Sequence, residues 1–397
     1  MEWKEVDICQ LCDSVSETYK GNASEVVLIN TSDVLDGKCL NHEYVPNKKL
    51  KGQFKKTFRK GDILYSEIRP ANKRFCFVDF EPKDYIASTK LMVLRAHEDI
   101  DPQYLYQILR SNDTLTQLQM LAESRSGTFP QITYTELSNI MVSLPSQKAQ
   151  KNIVSILASL DRKIELNNKI NADLEEMAQA IFKSWFVDFD PFKDGKFVDS
   201  ELGMIPEGWK VGTLTEIASY MNGLAMQKFP PENNEDSLPV LKIKELGQGF
   251  CGTDSDRCSC NIKDECKIHN GDVIFSWSGT LLVDVWCGGD CGLNQHLFKV
   301  TSKDYPKWFY YYWTKHHLQE FIHIAKDKAV TMGHIKRGHL EEAMVAIPDN
   351  DSMVKAHELF EPILSKMISL RLEKSRLSLL RDTLLPRLMS GEIEVPQ

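Results

Sequence analysis

From Gln147 to Trp185 the apolar residues recur in alternating steps of four and three, with no Gly or Pro between them. That spacing predicts a long helix with one continuous seam. Its seam positions are Ile153, Leu157, Leu160, Ile164, Asn167, Asn171, Leu174, Ala178, Ile181 and Trp185. The same register recurs near the other end of the chain as Ala356, Phe360, Ile363, Met367, Leu370, Lys374, Leu377, Arg381, Leu384 and Leu388. The two stripes are expected to pair with each other as an antiparallel coiled coil. Asn167 and Asn171 interrupt the first stripe near its middle and would face Leu370 and Lys374, where a polar position fixes register at some cost in stability.

The segments preceding these helices repeat one another. Trp3-Lys4 recurs as Trp209-Lys210, Gly61-Asp62-Ile63-Leu64-Tyr65-Ser66 as Gly271-Asp272-Val273-Ile274-Phe275-Ser276, and Lys90-Leu91-Met92-Val93-Leu94 as His296-Leu297-Phe298-Lys299-Val300. Pro102-Gln103-Tyr104 recurs as Pro306-Lys307-Trp308, Gln131-Ile132 as His334-Ile335, and Pro145 as Pro348. A turn into an alternating strand, followed by an amphipathic helix, predicts an α+β fold written twice. The expected division is a mixed α/β globule over 1–145, a long helix over 146–186, a linker over 187–204, a second globule over 205–348 and a second long helix over 349–391. Antiparallel pairing of the helices, each about 50 Å long, would set the globules at opposite ends of a rod.

Composition narrows the function. A chain of 397 residues, 42% hydrophobic and 26% charged, is long enough for more than one core. No apolar run approaches the roughly 20 residues of a membrane span, and the charged start is unlike a signal peptide, so a cytoplasmic protein is expected. Ten cysteines in irregular spacing read as free thiols. The cluster Cys251, Cys258, Cys260 and Cys266 lacks the paired Cys-x2-Cys spacing of a zinc knuckle, and no metal is expected there. Gly247 to Gly252 matches a dinucleotide-binding spacing but is followed by Thr253-Asp254-Ser255-Asp256 rather than an apolar helix. Asp62 with Glu81 and Lys83 fits a nuclease only loosely, and its counterpart Asp272 has no such downstream pair. The aromatic run Trp308 to Trp313 reads as a core helix.

Net charge is −8, yet between Pro46 and Gly61 the chain holds Lys48, Lys49, Lys51, Lys55, Lys56, Arg59 and Lys60 without one acid. A solvated loop and a phosphate-facing patch both fit that run. The loops Arg125-Ser126-Gly127-Thr128-Phe129-Pro130-Gln131 and Lys328-Ala329-Val330-Thr331-Met332-Gly333-His334 each combine a base, a Gly and a terminal polar side chain before a helix. Such a loop can bring backbone N–H groups against phosphate or simply cap the helix, and composition favours neither.

Three segments resemble the specificity subunit of type I restriction-modification systems: Ala180 to Phe192, Glu201 to Trp209, and Leu384 to Gly391. Gly271 to Gly279 and Asn294-Gln295-His296-Leu297 are similar to many members as well. The resemblance spans the chain and implies two target-recognition domains separated by two conserved antiparallel helices, each domain reading half of a split site in double-stranded DNA. It implies no catalysis and no cofactor in this subunit. Two modification subunits using S-adenosylmethionine would dock on the helices, and restriction subunits using ATP and Mg would join them. Candidate DNA-contacting residues are Lys48, Lys49, Lys55, Lys56, Arg59, Arg69, Lys73, Arg74, Lys90, Arg125, Ser126, Gly127, Thr128 and Gln131 in the first half. In the second they are Ser276, Ser278, Gly279, Asn294, Gln295, His296, Lys328, Thr331, Met332, Gly333, His334 and Lys336. A stand-alone nuclease or methyltransferase would need a complete acid or cofactor constellation, and a non-DNA scaffold would lack the basic run and the Gly-bearing loops.

Overall fold

The computed structural model describes residues 3–48, 52–124, 130–232, 236–327 and 333–394. The chain divides into two units, one comprising Met1–Arg162 with Ser378–Gln397 and the other Lys163–Leu377.

In the first unit Lys4–Asp7 pairs antiparallel with Met141–Leu144. A four-stranded antiparallel sheet runs in the order Cys12–Val15, Leu91–Ala96, Ile63–Ser66, Phe75–Phe77. A second sheet runs Tyr44–Pro46, Glu25–Ile29, Tyr85–Ser88, Phe54–Lys56, and its two inner strands are parallel. The helix Pro102–Arg110 starts where Asp101 accepts hydrogen bonds from the N–H groups of Gln103 and Tyr104, with proline at its first position. Its buried face, Tyr104, Leu105, Ile108 and Leu109, packs with Ile63, Tyr65, Met92 and Leu94 of the first sheet.

The second unit is built by the same plan. Lys210–Thr213 pairs with Met344–Ile347, and the antiparallel sheet runs Ser219–Asn222, Leu297–Thr301, Val273–Ser276, Leu282–Val285. The other sheet runs Arg257–Ser259, Ser237–Leu241, Cys291–Leu293, Lys267–Ile268, again with a parallel inner pair. The order and direction of these two sheets therefore repeat even in the regions whose sequences share no visible pattern, although the first unit adds the short pair Val34–Leu35 with Lys38–Cys39 where the second has the helix Ile243–Gln248. The aromatic run is core, as its spacing predicts: Trp308 to Trp313 are all buried. Gly249, at φ 82°, ends the short helix Ile243–Gln248 instead of opening a phosphate-binding helix.

The two long helices are Gln147–Phe186 and Asn350–Met389, each 40 residues. In the first unit Ala149, Ile153, Val154 and Leu157 share a core with Leu385 and Leu388. In the second unit Ala178, Phe182 and Phe186 share one with Ala356, Phe360 and Leu364. In each unit the start of one helix thus meets the end of the other, which is the antiparallel coiled coil. Phe360 stacks on Trp308 with ring centroids 4.6 Å apart, tying the helix pair to its globule.

The seam departs from the expected one in places. Lys374 is exposed, and Leu160, Ile164, Leu174, Ile181, Ile363, Leu377 and Leu384 are only partly buried. Val154, Phe182, Leu364 and Leu385 are buried instead. A strict step of four and three describes helices that touch only each other. These helices also lean on a globule, so the apolar stripe widens beside the seam. In the middle, Asn167 is fully buried and donates from Nδ2 to Glu373 Oε2 at 2.8 Å. Glu373, rather than the expected Lys374, is its polar partner.

Candidate nucleic-acid interface

In both units the strand ending in serine leads into a residue clamped on two sides by backbone hydrogen bonds. In the first unit Glu67 N–H donates to Lys90 O at 3.1 Å, and Ile132 N–H donates to Glu67 O at 2.8 Å. In the second, Trp277 N–H donates to His296 O at 3.4 Å, and Ile335 N–H donates to Trp277 O at 3.1 Å. Arg69 N–H bonds to Pro130 O at 3.1 Å as Gly279 N–H bonds to Gly333 O at 2.9 Å. Isolated bridges join Ile68 to Gln131 and Ser278 to His334. This lattice brings together candidates that lie far apart in the sequence: Lys90 with Gln131, and His296 with His334.

Lys90 is half exposed, with its Nζ 3.4 Å from Gln131 Oε1 and 3.6 Å from Glu67 Oε2. Beside it Lys56 turns inward and donates from Nζ to Leu91 O at 2.8 Å and Thr89 O at 3.2 Å. Burial lowers the Lys56 ammonium pKa, Glu67 opposes that shift, and Lys90 adds to it. Lys56 is therefore a strut and not the phosphate contact expected of it, because the strand Phe54–Lys56 docks against Tyr85–Ser88. Its neighbours Lys48, Lys55 and Arg59 are exposed. Arg69 and Lys73 are exposed and left-handed, at φ 46° and 51°, on either side of a short turn. Arg74 points inward, its guanidinium donating to Ser32 O at 3.0 Å. Lys49, Arg125, Ser126, Gly127 and Thr128 lie outside the described residues.

In the second unit Ser276 is fully buried, and its Oγ donates to Thr280 O at 2.8 Å. Ser278 is buried too, its Oγ 3.1 Å from His296 Nδ1. These hydroxyls shape the turn and hold the imidazole, and neither is presented to a ligand as the sequence suggested. The loop Asn294-Gln295-His296 is fixed from behind. Asn294 N–H bonds to Leu241 O at 3.1 Å, and Leu224 N–H bonds to Leu293 O at 2.9 Å. A Cβ on Gly223 would lie 2.2 Å from Leu293 O, so only glycine lets the chains approach this closely. In front of the loop is a cleft of about 450 Å³ whose polar lining is Gln227, Lys242, Arg257, Asn294, Gln295 and His296, with Asp256 paired to Lys242. Gly333 also needs its lack of side chain, since a Cβ there would lie 2.6 Å from Ala325 O. His334 and Lys336 are exposed. Lys328, Thr331 and Met332 lie outside the described residues.

Asp62, the buried acid of the loose nuclease fit, and its repeat counterpart Asp272 are both held in ion pairs. Asp62 is buried, bonded twice by Arg95 at 2.8 Å and by the N–H of Arg59 at 2.9 Å. Asp272 accepts from His269 N–H and from Lys299, each at 2.8 Å.

The type I restriction modification DNA specificity domain, as a family, matches residues 2–176 and again 206–374. The chain belongs to that family. It is 30% identical to the type I restriction enzyme HindI specificity subunit of Haemophilus influenzae, over 99% of this chain and 100% of that one. It is 27% identical to the MjaIX specificity subunit of Methanocaldococcus jannaschii, over 90% and 85%. Its fold is similar to the crystal structure of the type I restriction-modification system S subunit from M. genitalium, with a TM-score of 0.53 at 15% identity over 98% and 96% of the two chains. As a type I specificity subunit it recognises DNA sequence and carries two recognition domains. Among the described residues no helix is long and apolar enough to cross a membrane.

Within this specificity subunit, Glu67, Trp277, Gln227, Lys242 and Arg257 escaped the sequence reading. Glu67 and Trp277 each directly follow a repeated strand, so the repeat itself carried the signal. Gln227, Lys242 and Arg257 lie in the variable region, where no pattern marks them.

Proposed function

We propose that each recognition domain contacts duplex DNA through the strand ends around Lys90 and Gln131 in one unit and around Gln295, His296 and His334 in the other. The flanking Lys48, Lys55, Arg59, Arg69, Lys73 and Lys336 contact phosphate. The observation that carries this reading is the repeated backbone lattice: the same hydrogen bonds present different side chains, as two readers of different sequences require. In this reading the chain performs no chemistry and holds no cofactor. Methyl transfer from S-adenosylmethionine belongs to two modification subunits docked on the paired helices. ATP- and Mg-dependent cleavage belongs to restriction subunits, and the assembly works in the cytoplasm. The engagement of Asp62 and Asp272 in internal ion pairs is consistent with a chain that binds without catalysing.

The test is enrichment of bound duplexes from a random pool by the complex of this chain with its modification subunits. Two specified blocks separated by unread bases are expected. A single block, or no enrichment, would refute the reading. Transfer of a labelled methyl group by the purified chain alone would refute its non-catalytic part.

A further inference from the structure

The matched backbone bonds make Glu67, Lys90 and Gln131 the positional equivalents of Trp277, His296 and His334. At these places one scaffold carries different chemistry. In the first unit the side chains form a charged set: Lys90 Nζ lies 3.6 Å from a carboxylate oxygen of Glu67 and 3.4 Å from the amide oxygen of Gln131. The Lys90 and Glu67 side chains are 50% and 24% exposed, so both can exchange partners with a ligand. In the second unit the set is aromatic. The Trp277 ring lies 6.0 Å from that of His296 and 6.4 Å from that of His334, and His296 is held by Ser278.

Resting on the DNA-reading surface proposed above, we infer that these three equivalent positions determine base specificity in each half-site, and that Lys90 and Glu67 together read one G·C pair. A guanine presents two acceptors, O6 and N7, in the major groove, and its paired cytosine presents the N4 amino donor. An ammonium beside a carboxylate is complementary to both edges at once. In the free protein the two groups satisfy each other across 3.6 Å, and Lys56, bonded to the carbonyls on either side of Lys90, fixes the backbone that carries them. The second unit has neither a carboxylate nor a fixed positive charge at these positions, so it does not read the same pair. An indole between two imidazoles offers aromatic ring surface instead.

The experiment compares the native complex with modification subunits carrying the natural chain, Lys90→Met, Lys90→Arg, Glu67→Gln, or the triple exchange Glu67→Trp with Lys90→His and Gln131→His. Bound duplexes are selected from a pool, and melting temperatures are measured alongside. Lys90→Met is expected to lose discrimination for guanine at one position of one half-site by roughly ten- to a hundredfold. Glu67→Gln should relax the same position, and Lys90→Arg should keep guanine there. The triple exchange should change the preferred base at that position while the other half-site stays the same. Uniform weakening across all sequences by Lys90→Met would make Lys90 a phosphate contact and overturn the inference, as would an unchanged preference in a folded triple variant. If the triple variant does not fold, the two conservative single changes decide the matter by the same readout. Failure of the natural complex to enrich any site would instead strike the underlying DNA-reading surface.

Discussion

Replacing Asn167 by Leu tests what the polar centre of the helix pair costs. Asn167 is fully buried; its Nδ2 donates to Glu373 Oε2 at 2.8 Å, and its Oδ1 has no partner among the described residues. A buried acceptor left unsatisfied costs about 1–3 kcal/mol, and a hydrogen bond to a charged group contributes about 1.5–3 kcal/mol. Leucine removes both and adds about 1.5–3 kcal/mol of apolar burial with the same branching at Cγ. Glu373 loses its amide partner but is 43% exposed with Lys163 Nζ 3.6 Å away, so it rehydrates at little cost. The sum favours the variant by about 1–3 kcal/mol. For a unit of this size each kcal/mol corresponds to about 2–4 °C. Calorimetry of the purified chain should therefore show Asn167→Leu melting several degrees above the natural protein. A fall in melting temperature would refute the reasoning. It would mean that the amide acceptor is satisfied by bound water and that the polar layer stabilises the pair outright.

Lys55→Ala with Arg59→Ala should weaken binding of the complex to every duplex alike and reduce the salt slope by about one per lost phosphate contact, measured by titration at several salt concentrations. Lys56→Ala, which strips the donor from Thr89 O and Leu91 O, should instead lower the melting temperature; equal melting of the Lys55→Ala and Lys56→Ala chains would contradict the inward placement of Lys56. Gly223→Ala forces a Cβ to within 2.2 Å of Leu293 O and should displace the Asn294–His296 loop, so site selection should show relaxed bases in one half-site only. Cys258→Ser and Cys260→Ser should leave site selection unchanged, although a hydroxyl in place of the buried Cys258 thiol should cost about 1–3 kcal/mol of stability. Stoichiometric zinc in the natural protein, lost in these variants, would show that the thiols are ligands.

Much of the architecture follows from local pattern alone. Alternating steps of four and three determine the two long helices, since helical periodicity places those residues on one face whatever lies opposite. The recurring Gly-Asp turn into Ile63–Ser66 and Val273–Ser276, and the residues that later bridge to it, are visible as a repeat because turn and strand chemistry is short-range. The sequence by itself therefore determined the duplication, the antiparallel partner and the repeated segments that bridge to one another in each unit.

Which polar atom meets which was decided only by the tertiary structure. Lys56 and Arg74 look like their exposed neighbours in sequence, yet their cations end on carbonyls of Leu91 and Ser32, contributed by other strands and turns. Ser276 and Ser278 look available and are buried, because the turn they form folds its hydroxyls back on itself and onto His296. Glu373, one position from the seam, accepts from Asn167 Nδ2, a bond that the Lys374 ammonium, a donor only, could not make. The parallel pairing of Glu25–Ile29 with Tyr85–Ser88, and of Ser237–Leu241 with Cys291–Leu293, joins segments separated by long variable loops that carry no shared pattern. Periodicity states which face of an element is apolar. The partner of a buried or clustered polar group is set by distant parts of the chain, and by the rule that such groups must be satisfied when water is excluded.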